Sequence, residues 1–388
     1  MKFKIAILGS TGSIGTTLLN VILKNKNNFH ISLLTTNKNY KLLLKQAIKF
    51  NVKNVVITDK KTFNISKNIF INKKIKIYNG FNDLKKIFPK KIDYVMSAIV
   101  GLDGLLPTFK IIKFTKKIAI ANKESIICGW NLITKELKKN KTKFIPVDSE
   151  HFSIWYALQS NDTANIDKLY LTASGGPLLN ISKKKFNSLQ IDTITNHPNW
   201  KMGPKISVDS STMVNKIFEI IEAKKIFNLS YKHLGIIIHP KSYVHAIIKF
   251  KDGMIKIIAH DTTMKIPILN TLNIKNLNSL KTQKISLEKL NNLQFSNISK
   301  KKFPLINIIN KLSNRDSLFE TVFVTINDEL VNLFLQKKIS YPILIKTLLK
   351  LVSSNKFKKY KNIEPKQIND ILNLNKYIKS QLLNHEYV

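Results

Sequence analysis

The sequence predicts an α/β protein in which an N-terminal doubly wound parallel sheet is followed by a central α/β region and a C-terminal α-helical bundle. Three observations predict this fold class. Short apolar runs alternate with helical segments up to about residue 149, a pattern typical of parallel strands joined by helices. Apolar runs between residues 234 and 260 predict paired strands. From residue 303 onward the apolar spacing is helical, which predicts a small bundle.

Length and composition are those of a globular protein. The chain has 388 residues, of which 44% are hydrophobic, enough for two or three domains with a sizeable core. Its one cysteine, Cys128, excludes an internal disulfide and a multi-cysteine zinc site and fits a reducing compartment. The first apolar stretch is too short for a signal peptide, and no window has the uncharged apolar length of a membrane-spanning helix. We therefore expect a cytoplasmic protein with no membrane partner.

The net charge of +40 would ordinarily favour a nucleic-acid or membrane partner. Arg315, however, is the only arginine, and the other basic residues are lysines spread along the chain among many Asn and Ile residues. Proteins that read nucleic acid use arginine forks on phosphates and guanines. The composition therefore indicates drift toward A/T-rich codons, and we expect no nucleic-acid partner. An anionic substrate would still be favoured by this charge.

The first strand predicted, residues 3–8, leads into GSTGSIG at residues 9–15 and then into a helical pattern. A strand, a glycine turn and a helix form the Rossmann-like arrangement that binds dinucleotides, because glycines let the backbone approach the pyrophosphate at the helix N-terminus. The glycine spacing, G-x-x-G-x-x-G, is not the commoner G-x-G-x-x-G. A glycine-rich turn without a ligand therefore remains an alternative.

The second strand, HISLLTT, ends at Asn37-Lys38-Asn39. NAD enzymes usually place an acidic residue there for the ribose 2′-hydroxyl, but the first acid of this chain is Asp59. Lys38 with its flanking amides suits a 2′-phosphate. The sequence thus favours NADPH over NADH, unless Lys38 is one more lysine of the compositional drift.

Two later strands of the predicted sheet end at Lys123 and at Asp148, and the carboxyl ends of parallel strands are where ligands bind. Asp148 and Glu150 lie two apart on chain that we expect to be extended, so both should point to one face. Neighbouring carboxylates repel unless a cation lies between them, and oxygen ligands suit Mg²⁺ or Mn²⁺. A plain surface turn is the alternative.

The segment after residue 166 predicts a phosphate-binding region. A strand ends at Ser174, where a Ser-Gly-Gly turn can present a hydroxyl and backbone N–H groups. Residues 197–205, HPNWKMGPK, predict a loop in which Trp200 is either an anchor to the core or part of a lid.

A single helix is predicted next, over residues 207–227. Asp209, Ser210 or Ser211 is its expected N-cap. Asn215 and Glu219 should share one face with Ser211, with Lys216 adjacent. His239, His245 and His260 lack ligand-like spacing to the acids and are interpreted as structural.

These patterns, together with the family resemblance given next, divide the chain into four predicted regions. They are an NADPH-binding Rossmann-like domain (1–149), a catalytic and dimerisation domain (150–272) with a mobile lid at about 182–206, a linker (273–302) and a C-terminal helical domain (303–388).

In this order, GSTGSIG, ANKES, PVDSEH, LTASGGP, HPNW-x-MG, KISVDSSTM-x-NK and IHP-x-S resemble the 1-deoxy-D-xylulose 5-phosphate reductoisomerase family over nearly the full length. The resemblance implies an enzyme of the non-mevalonate isoprenoid pathway. Such an enzyme rearranges 1-deoxy-D-xylulose 5-phosphate and reduces the intermediate with NADPH to 2-C-methyl-D-erythritol 4-phosphate. It also implies one divalent ion, Mg²⁺ or Mn²⁺, a phosphorylated sugar substrate and a homodimer.

The resemblance further implies residue roles. The catalytic residues would be Lys123, Asp148, Glu150 and Glu219, of which the three carboxylates would bind the metal ion. The substrate would contact Lys123, Ser149, Glu150, Ser174, His197, Ser210, Asn215, Lys216 and Glu219. NADPH would contact Thr11, Gly12, Ser13, Ile14, Asn37, Lys38, Asn39, Asn122, Glu124 and Gly203, and the lid would include Trp200 and Met202.

Four sites depart from the family pattern. Asn37 replaces a glycine, Leu102 and Asp103 replace small residues, Pro204 replaces a basic residue, and TINDE at residues 325–329 replaces Asn-Ala-Ala-Asn-Glu. None removes a metal or phosphate ligand, so activity is expected. Two alternatives stay open at this point: a semialdehyde or homoserine dehydrogenase, which would need no three-carboxylate metal site, and a basic nucleic-acid-binding protein.

Overall fold

The computed structural model describes residues 2–158, 163–200, 202–272 and 283–383. The chain forms two compact units: Met1–Ser125 with Ile133–Phe152 and Met264–Thr282, and Ile126–Leu132 with Ser153–Thr263 and Gln283–Val388. Residues 273–282 of the predicted linker lie outside the described residues, and the four predicted regions stay predictions. Within the described ranges, no helix combines the length and the apolar character that crossing a membrane requires.

The first unit is built on a seven-stranded sheet of order β4-β3-β2-β1-β5-β6-β7. All of its neighbouring strands run parallel, which confirms the predicted doubly wound sheet. Its strands are β1 (Phe3–Leu8), β2 (Phe29–Thr36), β3 (Asn54–Ile57), β4 (Lys76–Asn79), β5 (Ile92–Ser97), β6 (Thr115–Ile120) and β7 (Lys143–Pro146). Residues 5–8 of β1 are completely buried, as expected for a central strand covered on both faces.

The helices that follow these strands begin at polar caps. Asn39, Asp59 and Asn122 each accept a hydrogen bond from a backbone N–H of the helix that follows, so the strand-to-helix turns are defined locally. The helices from α1 to α7 are Ser13–Leu23, Tyr40–Lys49, Lys60–Asn72, Leu84–Ile87, Leu105–Ile111, Lys123–Lys139 and Ser149–Ala157.

The second unit contains a five-stranded mixed sheet of order β11-β10-β8-β9-β12. Its strands are β8 (Ile166–Ala173), β9 (Leu234–Ile238), β10 (Val244–Phe250), β11 (Ile255–Ala259) and β12 (Ser296–Asn297). The predicted strands between 234 and 260 are present, but β9 and β10 do not pair with each other. Both pair with β8, β9 in parallel and β10 antiparallel, so β8 is the centre of this sheet.

The remaining helices, α8 to α16, are Ile191–Thr195, Pro204–Ser211, Val214–Ile226, Lys265–Leu272, Leu287–Asn291, Phe319–Leu335, Tyr341–Ser353, Asn355–Lys358 and Ile368–Leu383. α11 belongs to the first unit and packs against α1. α13 packs against α14 and α16, which confirms the predicted C-terminal bundle. α12 and β12 lie within the segment predicted as a linker.

Candidate active site

The glycine turn after β1 has no room for side chains at two positions. Gly9 has φ +82°, and a Cβ on it would lie 2.7 Å from the carbonyl oxygen of Ala98. A Cβ on Gly15 would lie 2.4 Å from the carbonyl oxygen of Gly9. The turn therefore folds tightly against β1 and leads directly into α1 at Ser13, which leaves the helix N-terminus open to an anion.

Residues predicted to contact NADPH lie on this turn and on the loop after β2. Thr11 bonds through its hydroxyl to that of Thr36 at 2.7 Å, which ties the two segments together. The Asn37 amide donates to the Thr58 hydroxyl at 2.8 Å, and Lys38 is exposed. The φ angle of Asn37 is not positive, so asparagine causes no backbone strain at this position, where the family pattern has glycine.

The third predicted NADPH segment forms the start of α6. Asn122 accepts the Ser125 N–H at 2.9 Å, and its amide donates to the Gly101 carbonyl and to Glu124, each at 2.9 Å. Asn122 is 3% exposed, so its structural role is to cap the helix and hold the turn. This arrangement places Lys123 at the first helical position, beyond the carboxyl end of β6.

Asp148 and Glu150 do not lie on extended chain, contrary to the prediction. α7 begins at Ser149, so Glu150 is in its first turn. The Glu150 N–H donates to an Asp148 carboxylate oxygen at 3.2 Å, and the Ser149 hydroxyl donates to Glu150 at 2.5 Å. Asp148 thus acts in the manner of an N-cap, and a helix N-terminus stabilises negative charge. The two carboxylates are neighbours because a helix starts between them.

Asp148 is held as a carboxylate. Burial alone would raise the pKa of Asp148, but the Lys123 ammonium, which forms an ion pair with it, and His151 hold that pKa well below its usual range. His151 Nδ1 lies 3.3 Å from the second carboxylate oxygen of Asp148. Sequence reasoning missed His151, whose signal is its position three residues after the cap of a helix. The first unit therefore brings together Lys123, Asp148, Ser149 and Glu150.

The Ser-Gly-Gly turn follows β8 in the second unit. The Ser174 hydroxyl oxygen accepts the Gly176 N–H at 3.0 Å, and Gly175 and Gly176 have φ +86° and +65°. A Cβ on Gly176 would lie 2.9 Å from the carbonyl oxygen and 3.2 Å from the hydroxyl oxygen of Ser210. The glycine thus permits the close approach of Ser210 to the Ser-Gly-Gly turn, and the role of this turn in phosphate binding stays a prediction.

His197 is held in one neutral tautomer. Its Nδ1 accepts the N–H groups of Asn199 at 3.2 Å and Trp200 at 3.1 Å, so the proton is on Nε2. Nε2 lies 3.0 Å from the Ser174 hydroxyl and donates to it. Burial, and to a lesser extent the positive charge of Lys216, lower the pKa of His197 from 6.5 to about 4.

We expect His197 to titrate near pH 4 in the folded protein. The pKa of His197 is lowered from 6.5 to about 4 in the folded protein, so the unfolded chain takes up this proton at a higher pH than the folded chain does. The free energy of unfolding therefore falls as pH drops from about 6.5 toward 4. Histidine NMR should show the Nε2–H tautomer throughout neutral pH. A His197 midpoint above pH 6 would contradict the environment described above.

The segment predicted as one helix consists of α9 and α10, separated by Met213 in the left-handed conformation at φ +66°. The prediction of an N-cap at Asp209, Ser210 or Ser211 was wrong, because these residues end α9 and do not begin α10. Ser211 therefore does not share the face of Asn215 and Glu219. No glycine marks the break; the buried Met213 occupies the position where glycine would be expected.

Glu219 lies on α10 and is 1% exposed. Asn215, one turn earlier, donates to one of its carboxylate oxygens at 2.6 Å, and Lys216 pairs with the other. Lys216 also donates to the Thr172 carbonyl at 2.7 Å. The second unit thus orients one carboxylate beside an ammonium and an amide, as predicted.

The predicted lid includes residues 197–200, 202 and 203, which belong to no helix or strand; Lys201, between them, lies outside the described residues. The Asn199 amide donates to the Pro240 carbonyl at 2.6 Å and to the Ser242 hydroxyl at 2.8 Å. The Trp200 ring meets His245 edge-on at 6.3 Å, and His245 stacks on His260 at 3.7 Å. Met202 and Gly203 lead into α9. Asn199 thus attaches this loop to the segment around Pro240 and Ser242, a role that the sequence analysis missed.

Comparison with known proteins shows which family the chain belongs to. Three family models match: 1-deoxy-D-xylulose 5-phosphate reductoisomerase over residues 5–129, its C-terminal domain over 144–227, and the DXP reductoisomerase C-terminal domain over 261–381. The 1-deoxy-D-xylulose 5-phosphate reductoisomerase of Pelagibacter ubique is 56% identical over 377 residues, 97% of each chain. The chain belongs to the 1-deoxy-D-xylulose 5-phosphate reductoisomerase family.

Solved reductoisomerase structures have the same fold. One described as a complex with NADPH, fosmidomycin and magnesium aligns with a TM-score of 0.90 and 29% identity, covering 98% of this chain and 97% of the other. The Zymomonas mobilis enzyme, described as a complex with NADPH, aligns with a TM-score of 0.85 and 28% identity, covering 98% of both chains. These matches confirm the predicted α/β fold.

Three of the departures from the reductoisomerase family pattern lie in helices or short turns, and one of them, Pro204, has a local explanation. Pro204 is in the first turn of α9, where proline is tolerated because the first N–H groups of a helix have no intrahelical partner. Leu102 is 5% exposed and Asp103 lies in the same short 3₁₀ turn. The departure at residues 325–329 lies in α13.

Proposed function

We propose that this chain converts 1-deoxy-D-xylulose 5-phosphate to 2-C-methyl-D-erythritol 4-phosphate with NADPH and one divalent ion, as a step of non-mevalonate isoprenoid precursor synthesis. The observation that carries the proposal is a match to the reductoisomerase family along nearly the whole chain. The other NADPH-dependent dehydrogenases that the sequence left open have no need for the three carboxylates.

NADPH would bind at the carboxyl edge of the seven-stranded sheet. The turn around Gly9 and Gly15 fits a dinucleotide because its backbone comes close to the helix N-terminus, where a pyrophosphate is stabilised. Lys38 is exposed and would face the 2′-phosphate. The residues proposed to contact NADPH are Thr11, Gly12, Ser13, Ile14, Asn37, Lys38, Asn39, Asn122, Glu124 and Gly203.

The metal ion would be held by Asp148, Glu150 and Glu219. The donor set fits Mg²⁺ or Mn²⁺, since all three ligands are carboxylate oxygens. Lys123 and His151 keep Asp148 ionised, and Asn215 orients Glu219. When bound, the ion polarises the ketone oxygen of the substrate and the nicotinamide supplies the hydride.

The protein's own residues would position the substrate. Ser174 already accepts two hydrogen bonds, from Gly176 and His197, so its own O–H remains able to donate to a phosphate oxygen. Ser210, Asn215 and Lys216 would add a hydroxyl, an amide and a positive charge. Neutral His197 would orient the Ser174 hydroxyl through its one N–H, without a charge that varies near neutral pH. Phosphate contacts remote from the reacting carbons supply binding energy for orientation.

Lys123 and Ser149 would contact the sugar oxygens near the reacting carbons. Lys123 is fixed by its ion pair with Asp148, and Ser149 by its bond to Glu150, so both are oriented before substrate arrives. The loop containing Trp200 and Met202 would close over the substrate and exclude water.

We also propose a cytoplasmic homodimer. The face of β11 exposes the apolar side chains of Ile255 (55%) and Ile257 (53%), beside Met254 (65%), at the edge of the five-stranded sheet. A second copy of the chain would cover this strand, since exposed apolar faces of this kind mark interaction surfaces.

The test is oxidation of NADPH in the presence of 1-deoxy-D-xylulose 5-phosphate. We expect turnover with Mg²⁺ or Mn²⁺, none after chelation, and recovery when metal is restored, with 2-C-methyl-D-erythritol 4-phosphate identified as the product by mass spectrometry. Turnover that persists in chelator would contradict the metal site and favour a dehydrogenase.

A further inference from the structure

α9 is a short helix that carries Ser210 and is held by the C-terminal helices at three places. The Lys205 ammonium lies 2.9 Å from an Asp328 carboxylate oxygen. The Asn327 amide donates to Asp209 at 2.8 Å. The Tyr341 hydroxyl donates to the carbonyl oxygen of Ser211 at 2.9 Å. All of these residues belong to the second unit.

Two of these contacts come from adjacent residues of α13, Asn327 and Asp328. An alanine at position 327 could not donate to Asp209, and an asparagine at position 328 would meet Lys205 without a negative charge. These two residues therefore supply a hydrogen bond and an ion pair between α13 and α9.

These contacts act on buried or partly buried groups. Asp209 is 3% exposed, so its carboxylate depends on protein partners, and Lys205 lies 3.5 Å from it, farther than Asn327. Hydrogen bonds to charged groups are stronger than those between neutral groups and are costly to lose when buried. The ion pair between Lys205 and Asp328 and the hydrogen bond from Asn327 to Asp209 therefore fix the rotation and axial position of α9 relative to α13.

The position of α9 matters because of what lies at its two ends. Its N-terminus follows directly on Met202 and Gly203 of the loop. Near its C-terminus, Ser210 packs against Gly176 so closely that a Cβ on that glycine would lie 2.9 Å from the Ser210 carbonyl oxygen. A small rotation of α9 would therefore move the Ser210 hydroxyl relative to the Ser-Gly-Gly turn at Gly176.

We infer that Asn327 and Asp328 are positioning residues for the substrate phosphate, which they act on through α9 and Ser210. This inference rests on the proposed function. It assigns a role to the C-terminal bundle of this chain: its first long helix sets the geometry of a phosphate contact located in another part of the same unit.

The test compares Asn327→Ala, Asp328→Ala and Asp328→Asn with wild type. We expect each alanine variant to raise KM for 1-deoxy-D-xylulose 5-phosphate about tenfold while kcat changes less than about threefold, because uniform binding is lost. The Kd of fosmidomycin should rise in parallel, and the Kd of NADPH should not change. Asp328→Asn keeps an oxygen acceptor for Lys205 but loses the negative charge, so its KM should lie between those of wild type and Asp328→Ala.

The matched control is Glu329→Gln, which removes a neighbouring carboxylate of α13 that pairs with Lys379, 3.2 Å away on α16. This variant should have the wild-type KM. If Glu329→Gln raises KM as much as Asp328→Ala does, then loss of any contact of α13 is enough to weaken substrate binding. That result would overturn the inference.

A second measurement separates positioning from general stability. In a Ser210→Ala background, Asp328→Ala should add less than about twofold to KM, because residues that act through one another are not additive. Fully additive effects would overturn the inference. Wild-type protein that fails to turn over the substrate would count against the proposed function itself, whereas normal wild-type turnover with unchanged variants would count against this inference alone.

Discussion

Replacing Glu219 with glutamine is expected to lower kcat by about a thousandfold or more, equivalent to about 4 kcal/mol of transition-state stabilisation. Glu219 is the most buried of the three proposed carboxylate ligands, and its two oxygens are oriented by Asn215 and Lys216. Glutamine keeps the shape but replaces one anionic oxygen with an amide that cannot ligate Mg²⁺ as a carboxylate does. The same change should weaken Mn²⁺ binding, which can be followed by electron paramagnetic resonance.

The matched control for Glu219→Gln is Glu320→Gln. Glu320 is also 1% exposed, and it accepts a hydrogen bond from the Ser317 hydroxyl at 2.6 Å. Burial raises the pKa of Glu320, so an uncharged glutamine is a modest change there. If both variants retain kcat and Mn²⁺ affinity, Glu219 is not a ligand. If both lose them equally, the loss reflects damage to the second unit and not to a metal site.

Much of the fold could be predicted because the responsible signals are local. The strands of the parallel sheet are short apolar runs, and their helices begin at Asn39, Asp59 and Asn122, each a residue type that caps helices. The pairing of β9 and β10 with β8 could not be predicted in the same way. Adjacent strands in the sequence commonly pair with each other, and only the tertiary structure places β8 between these two.

The site residues were predicted from motifs, and the local geometry expected for some of them was wrong. The carboxylates of Asp148 and Glu150 are neighbours through a helix start, where alternation along a strand had been expected. The break at Met213 has no sequence signal, because the left-handed conformation there is imposed by packing around a buried side chain. The partners of α9 lie more than a hundred residues later in the chain, which no local pattern can reveal.

Replacing Gly15 with alanine is expected to weaken both the fold of the first unit and its affinity for NADPH. The added Cβ would lie 2.4 Å from the carbonyl oxygen of Gly9 and 2.5 Å from the Cα of Ser10, both backbone atoms that cannot turn away. Alanine would otherwise favour α1 by about 1 kcal/mol, so any net loss of stability is a lower bound on the cost of the clash. We expect a net destabilisation of about 1–3 kcal/mol and an NADPH Kd about a hundredfold higher.

Gly12→Ala separates the two effects of Gly15→Ala. Gly12 has φ −79°, which alanine adopts readily, and the nearest protein atom to its Cβ would be the Gly9 carbonyl oxygen at an ordinary 3.5 Å. The midpoint of thermal unfolding without ligand should therefore stay at the wild-type value, while the increase that NADPH produces should shrink. A Gly12→Ala variant that binds NADPH normally would show that the dinucleotide does not lie against this turn. A Gly15→Ala variant with normal stability would show that the backbone of this turn can shift to accommodate a Cβ. Glycine at this position would then be required for binding the ligand and not for the fold.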